Sequence, residues 1–268
     1  MTAVDGAAAV RTEIDAGGLA RVTLSRGAAG NAIDLVLARG LLDAARACER
    51  GGVRAVLLTG EGKSFCVGGD LREFSRFECE ALQKHLTAVT DALHDALRVF
   101  AALDAPMVAA VQGAVAGAGI GLAAAADITL AADNATFTAA YTGIGYSPDG
   151  GVSWALPRLV GPKRALDMLF TNRRIPASEA ETIGLVSRVV PSGDLSDQAE
   201  RTAEALRRGP TAAFGATRRL VAAGLTADLG PHLDREARAL AAAAVSPEGR
   251  EGVAAFLGKR APDYTHHP

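Results

Sequence analysis

Residues 106–127 read PMVAAVQGAVAGAGIGLAAAAD, and this stretch decides the fold. From Met107 to Ala126, Gln112 is the only strongly polar side chain, and the run is long enough to span a bilayer. It also carries Gly113, Gly117 and Gly121 at the four-residue spacing of packed membrane helices. Against that stand four glycines between 113 and 121, Pro106 before the run and Asp127 at its end. The stretch reads as a buried strand, a glycine-rich turn and a short buried helix near Ala126.

The same order recurs on either side. Residues 10–24 alternate as a β-hairpin turning at Gly17 and Gly18. Asn31 to about Glu49 reads as an amphipathic helix, with Asn31 or Asp34 as its cap. Arg54–Thr59 is a short apolar strand, followed by the glycine-dense loop 60–71. Phe77–Leu103 is one long helical pattern. Strands are expected at 128–131, 135–138 and 186–190, and helices near 150–158, 162–170 and 178–183. From Leu195 the chain reads as helical, with breaks at Gly209, Gly230 and Ser246, each followed by proline. An α/β body over residues 1–194 and a helical region over 195–268 are expected.

Composition narrows the function classes. The 268 residues are 49% hydrophobic and 22% charged, enough for one sizeable core. A net charge of −2 gives no basic field for nucleic acid or an anionic membrane. Aromatic residues make up only 4%, which disfavours base stacking. Cys48, Cys66 and Cys79 have no CxxC spacing, so neither a disulfide framework nor a metal site is expected. The segment Met1–Asp15 lacks a basic start followed by an apolar run, so a cytoplasmic protein is expected.

Two loops share one design: buried strand, glycine-rich turn, helix. They are 60–71 and 112–119. Glycine lets backbone N–H groups approach a ligand, and two converging N–H groups form an oxyanion hole. The pattern alone fits two tight turns equally well. Gly117, Gly119 and Gly121 also suggest a dinucleotide fingerprint, but Leu122 stands where its third glycine belongs.

Phe65–Leu71 (FCVGGDL) resembles the FxAGxDL segment of the enoyl-CoA hydratase/isomerase (crotonase) superfamily. Pro106–Gly119 resembles that family's second segment, and Asp127 with Ile128 matches its next strand. Asn31 with Ala32, Leu156–Gly161, Ala180 with Gly184–Val186, and Phe256 with Lys259 and Arg260 extend the resemblance over residues 10–264. It implies a spiral of ββα repeats with a helical C-terminal region, assembling as a trimer or dimer of trimers. It implies an acyl-CoA thioester substrate, a thioester enolate, and no further cofactor or metal. By position, the oxyanion donors are the N–H groups of Val67 and Ala118, and Gly68, Gly117, Gly121, Tyr141, His94 and the stretch Arg72–Gln83 shape the substrate pocket.

The carboxylates bear on the reaction. The family's hydratases orient water with two glutamates, and the matching positions here are Gly121 and Tyr141. A glycine moves no proton, and a neutral tyrosine is a poor base near neutral pH. Asp149 aligns with the catalytic aspartate of several other branches of the family. Beside an oxyanion hole, one carboxylate suffices for double-bond isomerisation. Hydration by an unusual base, aspartate-nucleophile chemistry of the dehalogenase kind and a low-activity acyl-CoA-binding paralogue stay open. His94 matches the histidine of the dehalogenase branch, whereas Tyr141 stands where its tryptophan belongs. Arg26, Phe256 and Lys259 are the candidates for contacts with coenzyme A.

Overall fold

The computed structural model describes residues 8–265; Met1–Ala7, part of the segment read above for a leader, lie outside the described residues. The hairpin is β1 (Val10–Ile14) and β2 (Leu19–Leu24), paired antiparallel. Next come α1 (Leu35–Arg50), β3 (Ala55–Gly60), the single turn α2 (Leu71–Phe74) and α3 (Cys79–Ala102). The 106–127 stretch forms β4 (Met107–Val111), β5 (Ala114–Ala116) and α4 (Ala118–Ala124). Then follow β6 (Ile128–Ala132), β7 (Thr136–Thr138), α5 (Val152–Val160), α6 (Pro162–Thr171), β8 (Ile175–Pro176), α7 (Ala177–Thr182) and β9 (Arg188–Val190). Four helices complete the chain: α8 (Leu195–Arg207), α9 (Thr211–Gly224), α10 (Leu229–Val245) and α11 (Pro247–Leu257).

Two sheets explain the repeat. β1-β2-β3-β4-β6-β9 form one sheet, parallel after the hairpin, and β5-β7-β8 form another. In the repeats built on β4 and β6, the first strand joins the large sheet and the second the small one. This is the expected α/β spiral of ββα units.

The large sheet is covered on both faces, as its continuous apolar strands require. Alternate residues face opposite ways along a strand. Val56 and Leu58 therefore pack with α1 and α3, while Ala55 and Leu57 join Leu195, Ala199 and Ala203 of α8. So α8, grouped by sequence with the helical tail, is packed on the sheet. Among the described residues no helix is long and apolar enough to cross a membrane.

Several expectations shift. The first helix starts at Leu35, because Asp34 caps it by accepting the Leu37 N–H at 2.8 Å. Asn31 is instead fully buried, in the left-handed region (φ 54°). The sequence reading missed β5, β8 and α2, each too short to show a period. Gly230 and Pro231 do not break the chain but lie in the first turn of α10, where an absent N–H costs nothing.

Candidate active site

Asn31 shapes the first glycine loop. Its side-chain N–H groups donate to the carbonyls of Glu61, Ser64 and Phe65 at 2.9–3.0 Å. Cys66 then pairs with Val115 in a parallel bridge, laying the loop beside the 113–118 turn. Gly68 lies at φ 88°, and a Cβ there would sit 2.9 Å from the Ala116 carbonyl oxygen. Only glycine fits so close a backbone approach.

The backbone bonding identifies the free donors. The Val67 N–H, expected as the first donor, is already donated to the Gly30 carbonyl at 3.0 Å. That is a correction: Val67 contributes its side chain to the cavity wall, not its N–H to a ligand. Ile33 N–H bonds the Gly68 carbonyl, and Asp70 N–H bonds the Ile33 carbonyl. The intervening Gly69 N–H therefore faces away from Ile33. On the second loop, Gly117 N–H donates to Thr138 at 3.1 Å, and Ala118 opens α4 with an N–H that has no intrahelical acceptor. Among the described residues, neither the Gly69 nor the Ala118 N–H has a protein acceptor. Gly68, Gly69, Gly117 and Ala118 all line one cavity of about 650 Å³.

Asp149 is the only acid lining that cavity among the described residues. It sits in the turn before α5, where Gly150 and Gly151 adopt φ 60° and 79°. Its Oδ1 lies 2.8 Å from His94 Nε2, and the two side chains are 32% and 33% exposed. An ionised carboxylate only accepts, so the shared proton belongs to Nε2. Asp149 Oδ2 has no partner among the described residues. Tyr141 also lines the cavity, and its hydroxyl donates to the Asp149 backbone carbonyl at 2.9 Å. Burial pushes the Tyr141 phenol well above its ordinary range, so it stays protonated. Leu82, Leu86, Val89 and Leu93 of α3 make one apolar wall.

His94 was expected in the pocket but does not line it, and the same holds of Gly121. A Cβ there would stand 2.0 Å from the Gly150 carbonyl oxygen, so its role is to let the Asp149 turn settle on α4. Arg26 lines a second cavity and is tied down there. It forms ion pairs with Asp34 and with Asp70, the latter at 3.4 Å, and donates to the Ala32 carbonyl. This second cavity, of about 610 Å³, shares Val67, Gly69 and Leu71 with the first and is edged by Arg72 and Arg76. These two arginines are exposed and have no ion-pair partner among the described residues. Phe256 is 82% exposed, Lys259 is exposed too, and neither lines either cavity. The Cys66 thiol, pushed up to about 12 by burial, is an inert part of the core. No group of three or more His, Cys, Asp or Glu side chains forms a potential metal site among the described residues.

The sequence did single out His94 and Asp149, but only as alignment positions. Gly69 it missed as a donor, and Arg72 and Arg76 it placed only within a stretch shaping the acyl pocket. For Gly69 the usable signal lay in the FCVGGDL segment itself, where the choice of donor depends on which N–H the fold leaves free.

Known proteins are similar to this chain in sequence and fold. The family model described as Enoyl-CoA hydratase/isomerase matches residues 15–267. A protein of Rhodobacter capsulatus named "Probable enoyl-CoA hydratase" is 41% identical over 256 residues, covering 96% of this chain and 97% of that one. The 1,2-epoxyphenylacetyl-CoA isomerase of Escherichia coli is 35% identical over 213 residues, covering 80% and 81%. A solved structure of an enoyl-CoA hydratase from Polaromonas superposes with a TM-score of 0.88 at 33% identity, covering 95% of this chain and 98% of that one. Two ββα loops with free N–H groups, on a spiral matched over nearly its whole length, make this chain a member of the enoyl-CoA hydratase/isomerase family of the crotonase superfamily.

Proposed function

We propose that the protein isomerises the double bond of an enoyl-CoA through a thioester enolate. The observation behind this reading is a single carboxylate, Asp149, sharing one cavity with two unbonded N–H groups, those of Gly69 and Ala118. The unpartnered Asp149 Oδ2 takes a proton from C2 of a 3-enoyl thioester. The C–H electron pair moves into the carbonyl, and the enolate oxygen accepts from the Gly69 and Ala118 N–H groups. Asp149 then returns the proton to C4, leaving the double bond between C2 and C3. His94 holds the carboxylate by Oδ1 throughout.

Arg72 and Arg76, beside the adjoining cavity, supply cations for the phosphates of coenzyme A. Phe256 and Lys259 reach an acyl-CoA only across an interface between copies, in keeping with a trimer or dimer of trimers.

A conjugation assay with 3-enoyl-CoA, run beside a 2-enoyl-CoA, tests the reading. Absorbance of the conjugated thioester rises with wild type, and Asp149→Asn lowers the rate by about 10²–10⁴. Loss of the 2-enoyl signal that is insensitive to Asp149→Asn would overturn it.

The His94–Asp149 contact also favours a second reading. Asp149 attacks the halogen-bearing carbon of an aryl-CoA and halide leaves; water then hydrolyses the aryl ester, one of its protons leaving on the hydroxyaryl product and the other to solvent, while His94 holds the regenerated carboxylate. Halide release from a halogenated benzoyl-CoA distinguishes this chemistry.

A further inference from the structure

We infer that Tyr141 is a positioning residue, which fixes the Asp149 turn against the turn that carries the Ala118 donor. The inference deepens the reading above and rests on it for its kinetic test alone.

Three contacts close a ring around these two groups. Gly117 N–H donates to Thr138 at 3.1 Å, tying the end of β7 to the turn before α4. Ala140, at φ 63°, then adopts a left-handed conformation rare for alanine and redirects the chain. Tyr141 follows at once. Its ring carbon Cζ lies 3.8 Å from where a Gly117 Cβ would be, and its hydroxyl spans to the Asp149 carbonyl at 2.9 Å. The ring is completed where Gly150 meets Ala118, a Cβ on Gly150 falling 3.0 Å from the Ala118 Cβ.

The turn needs such a tie. Gly150 and Gly151 both sit at positive φ, and glycine is the residue least restrained by its own backbone. Apart from Tyr141, among the described residues the Asp149 carbonyl accepts only from Val152 N–H, at 3.2 Å, at the start of α5. Tyr141 is thus the link from that carbonyl to a segment outside α5 and its turn. Its phenol stays protonated, so its O–H remains a donor across the working pH range.

Tyr141→Phe keeps the ring against Gly117 and removes only the donor. We expect kcat for 3-enoyl-CoA to fall about 10- to 100-fold, with KM within about twofold, because small misplacements of a base cost rate more than binding. The His94 imidazole resonances, read by NMR without substrate, shift as the Asp149 carboxylate moves. A residue that merely walls the cavity would change KM alone and leave those resonances in place. Either unchanged kcat or unchanged resonances overturns the inference. If wild type does not isomerise 3-enoyl-CoA, the proposed reaction fails, and the resonances alone decide the role of Tyr141.

Discussion

His94 Nε2 lies 2.8 Å from Asp149 Oδ1, joining a residue inside α3 to a loop 55 positions further along the chain. The bond takes one carboxylate oxygen and leaves the other for a substrate. His94→Gln therefore lowers kcat by roughly 10- to 100-fold while KM changes little. Steady-state kinetics on 3-enoyl-CoA checks this. With an aryl-CoA, accumulation of a covalent adduct on His94→Gln, read by mass spectrometry, would instead favour the nucleophilic reading.

The second donor can be deleted alone. Ala118 is the first residue of α4, a position that tolerates proline because its N–H has no helical acceptor. Ala118→Pro should cost about 10²–10³ in rate with the melting temperature nearly unchanged. A variant that retains full activity would remove Ala118 from the oxyanion hole.

Restoring the hydratase acids should not restore hydration. Any side chain at Gly121 meets the Gly150 carbonyl oxygen at 2.0 Å. Gly121→Ala is expected to destabilise the fold by about 1–3 kcal/mol and to disturb the Asp149 turn. The double variant Gly121→Glu with Tyr141→Glu should therefore hydrate 2-enoyl-CoA no faster than wild type. Thermal melts and the 2-enoyl assay test both statements.

The arginines divide by their partners. Arg26 is held by Asp34 and Asp70, so Arg26→Ala should lower stability by about 1.5–3 kcal/mol. Arg72 and Arg76 are exposed and edge the second cavity. The double variant Arg72→Ala, Arg76→Ala should raise KM for an acyl-CoA about tenfold or more but leave KM for the corresponding acyl-pantetheine unchanged. Equal KM changes for both substrates would refute a role in phosphate binding.

Acid should loosen the tie between α8 and the hairpin. The Glu204 carboxylate is held at about 2, first by its hydrogen bond from Arg207 and then by that from Arg208. Arg207 also donates to the Gly17 carbonyl at 3.0 Å. A carboxylate depressed on folding stabilises the protein above its ordinary range and loses that contribution as pH falls through the folded value. Glu204→Gln should therefore melt lower than wild type at pH 7, and the gap should close between roughly pH 4 and pH 2.

Much of the fold is legible because its signals are local. Unbroken apolar runs at Ala55–Leu58 and Met107–Val111 require a sheet covered on both faces, and glycines at 68 and 117 mark where backbones must approach. The family resemblance likewise follows from motifs read in order along the chain. By themselves these residues determine an α/β body with two glycine-rich strand-to-helix loops, and an aspartate at 149 where positions 121 and 141 carry no acid. They leave the donor open, because which N–H is unbonded depends on what lies opposite. Gly30 claims the Val67 N–H from 37 positions away in sequence, and Ile33 aligns the next pair so that Gly69 is left free. Asn31 reads as a helix cap until the buried carbonyls of loop 60–65 surround it. Tertiary structure alone decides these roles, because hydrogen bonds and charges are assigned by proximity in space, which sequence spacing does not record.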